Sequence, residues 1–109
     1  MNQGIALKRL AALSQATRLK VFRLLVRAGA QGVAAGALAS RAGVSAPALS
    51  FHAKELVAAG LVQSRQEGRY VIYSADYAAM DGLLAYLTDN CCGGEDCGLP
   101  TPQRRGTSP

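Results

Sequence analysis

With 109 residues, 12 Lys and Arg against 7 Asp and Glu, and a net charge of +5, the chain has the size of one ordinary domain. Its charge suits a polyanionic partner, and it equally serves solubility. Half of the residues are hydrophobic, but Arg, Gly, Ser or Glu interrupt them every few positions, so no run is long enough to span a membrane.

Met1-Asn2-Gln3-Gly4 followed by the amphipathic Ile5-Ala6-Leu7-Lys8-Arg9-Leu10 has no secretory pattern, which implies a cytoplasmic protein. Ile5, Leu7, Leu10 and Leu13 predict a short first helix, and Ser14 stands where an N-cap would begin the next. In that second helix Leu19, Phe22, Leu25 and Val26 recur at helical spacing, with Gly29 as its stop. After a loop at Gln31-Gly32, the alanine-rich stretch from Ala34 to Arg41 predicts a third helix anchored by Leu38, and Gly43 permits a tight turn. Ser45 and Pro47 mark a fourth helix running to Gly60, with Leu49, Ala53, Leu56 and Val57 as its buried stripe. Helix, short glycine turn and helix is the helix-turn-helix pattern.

The period then changes. Leu61-Val62-Gln63-Ser64-Arg65 and Tyr70-Val71-Ile72-Tyr73-Ser74 are β-branched and aromatic, and Gln66-Glu67-Gly68-Arg69 between them predicts a hairpin with a charged tip. From Asp76, a capping residue, Met80, Leu83, Leu84 and Leu87 restore helical spacing. The fold class expected is therefore mainly α with one β-hairpin: five helices, the hairpin preceding the last. Residues 1–90 form the folded domain and 91–109 a cysteine-containing segment, whose stretch from Gly98 to Pro109 predicts a mobile tail.

On the fourth helix the inward stripe leaves Pro47, Phe51 and Lys54 pointing away, flanked by Ala48 and Ser50. Small residues with a hydroxyl and a lysine suit entry into a DNA major groove, where apolar groups meet thymine methyls. The same pattern also fits an ordinary surface helix. Arg65 and Arg69, with Tyr70, flank the hairpin tip, where guanidinium groups either grip phosphates or are simply solvated. His52, the sole histidine, sits at the edge of the buried stripe and reads as a partly buried structural residue or a ligand.

Several motifs in order resemble the ArsR/SmtB family of small winged-helix repressors that sense metals and metalloids. They are Leu13-Ser14-Gln15-Ala16-Thr17-Arg18-Leu19, Leu38-Ala39-Ser40-Arg41-Ala42-Gly43-Val44-Ser45 and Leu49-Ser50-Phe51-His52-Ala53-Lys54-Glu55-Leu56, then Ala59-Gly60-Leu61-Val62 and Arg65-Gln66-Glu67-Gly68-Arg69-Tyr70. The resemblance implies a winged helix-turn-helix homodimer on a two-fold DNA operator, with the fourth helix in the major groove and the hairpin as wing. The DNA-facing set becomes Ser45, Ala46, Pro47, Ala48, Ser50, Phe51, His52 and Lys54, with Arg65 and Arg69. The dimer surface falls to the first and last helices, through Ile5, Leu10, Met80, Leu83 and Leu87. These residues would otherwise complete the core of a single protomer.

The three cysteines of the chain lie together as Cys91-Cys92-Gly93-Gly94-Glu95-Asp96-Cys97. In a reducing compartment an odd, closely spaced set reads as a metal, metalloid or redox site rather than a disulfide framework. Val33-Ala34-Ala35-Gly36-Ala37 holds no cysteine, and residues 75 to 90 hold no histidine, so the family's other sensing sites lack their ligands here. The cluster resembles the C-terminal three-cysteine site of an arsenite-responsive subgroup, and three soft thiolates suit trivalent arsenic or antimony. Cadmium or lead is a rival inducer, whereas zinc prefers a fourth ligand. Nearby acids and the helix carbonyl end oppose thiolate formation, so occupancy is expected to depend on pH, because binding releases thiol protons. The expected function is a repressor released by As(III) or Sb(III) bound at Cys91, Cys92 and Cys97. A thiol-redox repressor and a metalloid-buffering protein are the alternatives. No phosphate-cradling loop, second histidine or paired carboxylate suggests an enzyme.

Overall fold

A computed structural model describes residues 1–94. Cys97, Glu95, Asp96 and the predicted tail lie outside the described residues. Five α-helices and a three-stranded sheet follow in the order α1 (Gln3–Leu13), α2 (Ala16–Ala28), β1 (Val33–Ala34), α3 (Ala35–Ala42), α4 (Ala46–Ala58), β2 (Val62–Glu67), β3 (Tyr70–Ala75) and α5 (Tyr77–Leu87). A short 3-10 turn, Cys91–Gly94, ends the described chain. Among the described residues no helix is long and apolar enough to cross a membrane.

The helix starts follow local chemistry. Asn2, Ser45 and Asp76 cap α1, α4 and α5 by accepting from the backbone N–H groups of Ile5, Ala48 and Ala79. The expected Ser14 cap of the second helix does not form. Ser14 instead closes α1, its Oγ donating to the Ala11 carbonyl at 2.8 Å, and the Gln15 side chain accepts from Arg18 N to start α2. One residue cannot both finish a helix and start the next. Between α3 and α4, Gly43 takes the left-handed conformation (φ 73°) and Val44 N–H returns to the Ala39 carbonyl at 3.1 Å, closing the turn of the helix-turn-helix.

Leu25, Leu38, Leu49, Leu56, Leu61 and Val21 are fully buried and join α2, α3, α4 and the base of the hairpin in one core. Val57, expected within the buried stripe, is 37% exposed. It lies one position beyond Leu56, about 100° around the helix, and so clears the core. The sheet order is β1-β3-β2, both pairings antiparallel, with Val62 opposite Ala75 and Glu67 opposite Tyr70. The strands therefore run closer to the tip than expected, leaving Gly68-Arg69 as the connection. Gly68 has φ 62° there, a conformation a two-residue hairpin loop commonly demands. β1, which pairs Val33 with Tyr73, was not expected from the sequence.

Long-range contacts hold α1 and α5 onto this body. Arg9 donates Nε to the Ala59 carbonyl at 3.1 Å and Nη1 to the Ala79 carbonyl at 3.4 Å, placing a cation at the carbonyl end of α4. Tyr77 Oη donates to the Val26 carbonyl at 2.8 Å, satisfying one of the last acceptors of α2.

Candidate functional site

The exposed face of α4 and the hairpin β2–β3 stand side by side. Ser45, Ala46, Pro47, Phe51 and Lys54 are exposed, while Ala48, Ser50 and His52 are half-buried. Phe51 is 59% exposed and meets the His52 ring edge-on, with ring centres 5.3 Å apart. His52 Nδ1 is buried and makes no hydrogen bond among the described residues. Arg18 of α2 pairs with Glu55 of α4 at 3.8 Å, one helical turn beyond Phe51.

Residues 63–70 of the hairpin are all exposed, as an arm projecting from its buried base requires. A cleft of about 450 Å³ separates α4 from this arm, with Lys54 and Val57 on one side and Ser64, Arg65 and Gln66 on the other. The two hairpin arginines have different surroundings. Arg65 donates Nε to Glu67 Oε2 at 2.7 Å and Nη2 to the Gln31 carbonyl at 2.6 Å, so its guanidinium ties the arm to the loop before β1. Arg69, at the tip, has no such partner among the described residues. Sequence reasoning missed Gln31 altogether, because a backbone acceptor distant in the chain leaves no trace in composition. Glu67 was legible as a same-face neighbour two residues from Arg65.

Helices α1 and α5 carry apolar side chains that are exposed among the described residues. Ile5, Leu7 and Leu10 of α1 are exposed, as are Leu84 and Leu87 of α5, the last at 54%. Leu83 is 6% exposed within its own protomer and Met80 packs against the core, so the expected dimer residues divide between an outward and an inward set. An apolar groove of about 420 Å³ between α2 and α5, lined by Leu19, Phe22, Val26 and Leu84, continues this surface. Immediately beyond α5, Cys91 Sγ lies 3.7 Å from Cys92 Sγ. Cys92 is exposed, with φ 57°. The third cysteine, Cys97, is outside the described residues.

A helix-turn-helix domain family matches residues 13–65. The nodulation protein NolR of Rhizobium meliloti is 35% identical over 80 residues, which are 73% of this chain and 63% of NolR, so the match spans less than two thirds of that protein. The HTH-type transcriptional regulator YgaV of Escherichia coli K12 is 31% identical over 83 residues, 76% of this chain and 82% of YgaV. Among solved structures, an ArsR-like transcriptional regulator from Rhodococcus sp. RHA1 superposes with a TM-score of 0.71 at 28% identity, covering 96% of this chain and 89% of that one. The chain belongs to the ArsR-like winged-helix transcriptional regulators.

A second similar structure is the homodimeric winged helix-turn-helix DNA-binding domain of Mb0332 from Mycobacterium bovis, at a TM-score of 0.61 and 26% identity, covering 88% of this chain and 89% of that one. In this ArsR-like regulator the matched segment 13–65 contains α2, the helix-turn-helix and β2 up to Arg65. The match thus covers α4 and the first strand of the hairpin, and leaves β3 and α5 outside it. Relatives of this kind are regulators and not enzymes.

Proposed function

We propose that this regulator is a repressor that holds a two-fold operator as a homodimer and releases it when trivalent arsenic or antimony binds Cys91, Cys92 and Cys97. The dimer reading rests on the uncovered apolar faces of α1 and α5, a contiguous surface of the kind that monomers seldom leave exposed. The homodimeric Mb0332 domain has the same fold. A two-fold arrangement sets two copies of α4 into successive major grooves, and the cleft between Lys54 and the wing offers a place for the phosphate backbone.

The observation that carries the inducer reading is the Cys91–Cys92 sulfur separation of 3.7 Å, directly after the helix assigned to the dimer. The separation is close to the about 3.8 Å of two sulfurs on one tetrahedral centre and slightly wider than a three-thiolate pyramid needs, so a small closing movement brings the pair onto a single soft ion. Cys97 supplies the third sulfur. Arsenous acid then exchanges its three hydroxyls for the sulfurs of three cysteine thiols, each hydroxyl leaving with one thiol proton as water, with no change of oxidation state. Binding favours the DNA-free conformation if ordering the segment after α5 strains the α1–α5 surface. Couplings of about 1–3 kcal/mol are typical of such linkage.

The test is a titration of operator-bound protein with arsenite, antimonite, cadmium, lead and zinc, each in reducing buffer. Release by arsenite and antimonite at low equivalents is expected, and release by none of the five contradicts the reading. Proton counting separates the rivals: a divalent cation displaces thiol protons into solution, whereas arsenous acid carries them off as water. A redox switch is the second reading, favoured by the exposed, unbridged thiol of Cys92. Adjacent cysteines are strained when bridged, so Cys97 or the partner's cysteines would be the mate. Release by peroxide, with none by arsenite, would establish it instead.

A further inference from the structure

The face of α4 that meets DNA is short of the groups that usually read bases. From Ala46 to Ala53 the helix contains no Lys, Arg, Asn, Gln, Asp or Glu. Guanine is ordinarily read by Arg or Lys, adenine by Asn or Gln, and cytosine by an acidic acceptor, so each of these pairings is unavailable over the first two turns. Three polar side chains remain, and one of them is committed. Ser45 Oγ accepts from Ala48 N at 3.2 Å as the helix cap. His52 is half-buried with Nδ1 turned into the fold, and the half-buried Ser50 hydroxyl suits any base. Lys54, the first charged residue of α4, stands three positions beyond Phe51 and suits a phosphate.

What the helix does present is apolar. Phe51 is 59% exposed, and Pro47, four residues earlier, shares its face. A lone exposed aromatic needs no explanation. An aromatic at the centre of a DNA-facing helix stripped of other readers does. The major groove offers one apolar group, the C5 methyl of thymine.

We infer that Phe51 is the principal specificity-determining residue of this regulator, and that it selects operators by contact with a thymine C5 methyl in each half-site. The inference rests on α4 entering the major groove, as proposed above. It predicts a reading mode in which methyl contact, not bidentate hydrogen bonding, discriminates the base facing the middle of the helix.

The test uses the full-length protein to select duplexes from a random double-stranded pool, then measures affinity for the selected duplex with each thymine replaced in turn by deoxyuridine. That exchange removes only the methyl and leaves every hydrogen-bonding group of the base in place. One symmetry-related pair of positions is expected to respond, with binding about fourfold weaker for each methyl removed, the effect of losing one buried methylene-sized group. F51A is expected to bind the parent duplex more weakly and to lose this methyl sensitivity, while retaining salt-dependent binding to unselected DNA. If every deoxyuridine duplex binds as tightly as its parent, or if F51A keeps the wild-type sensitivity, the inference is overturned while the placement of α4 on DNA stands. If the wild-type protein enriches no sequence at all, that placement fails together with the inference.

Discussion

Tyr77 and Gly32 hold the described fold together at single points. The Tyr77 hydroxyl reaches the Val26 carbonyl at 2.8 Å and the Leu25 carbonyl at 3.3 Å, joining the start of α5 to the end of α2. Tyr77→Phe keeps the ring and removes only this donor. It is expected to cost about 1 kcal/mol in urea unfolding, the usual net value of one hydrogen bond. An unchanged midpoint would show that the helix end is satisfied by solvent. At Gly32 the backbone has φ 77°, and a Cβ there would collide with the Tyr73 carbonyl oxygen. Gly32→Ala is therefore expected to destabilise by at least the roughly 1–2 kcal/mol of a left-handed non-glycine residue, with the clash added. A variant as stable as the parent would mean that the β1–β3 pairing gives way freely. Ser45 and Asp76 were legible as caps because their chemistry is local. Tyr77 and Gly32 were not, since each acts on a partner more than 40 residues away.

At the scale of elements, the wing has one arginine that builds it and one free to act. Arg65, tied to Glu67 and to the Gln31 carbonyl, fixes the arm relative to the loop before β1. Arg69 at the tip is exposed and suited to a phosphate. Arg69→Ala is expected to lower the slope of log affinity against log salt by about 0.9 for each phosphate that the variant no longer neutralises, leaving stability unchanged. Arg65→Ala is expected to loosen the wing, seen as faster amide exchange along residues 63–70, as well as to weaken DNA binding. Equal salt slopes for Arg69→Ala and the parent would remove the tip from the interface. Helices α1 to α5 and the hairpin were legible because their apolar periods run over several turns or alternations. β1 escaped because two residues, Val33–Ala34, carry no period. The α1–α2 boundary was misplaced because Ser14 has capping chemistry that can serve either helix.

For the whole molecule, the apolar faces of α1 and α5 lie side by side, and the thiol pair follows α5 in the chain. Leu87 is 54% exposed there. Leu87→Glu is expected to shift the protein toward monomer in sedimentation, since it places a charge on an apolar contact, and to weaken operator binding with it. A variant that remains dimeric would move the interface elsewhere. Of the proposed inducer site, the three cysteines and their spacing were legible in the sequence, and the structure adds the 3.7 Å approach of two of the three sulfurs. The proposed coupling between that site and α4 was not legible, because it would depend on a second copy of the chain and on the conformations that the pair can adopt. The most direct test is operator release measured on a variant in which Cys91, Cys92 and Cys97 are all replaced by serine. That variant is expected to bind operator as tightly as the parent and to stay bound at arsenite concentrations that release the parent completely; release at the same arsenite concentration would contradict the assignment of these cysteines as the inducer site.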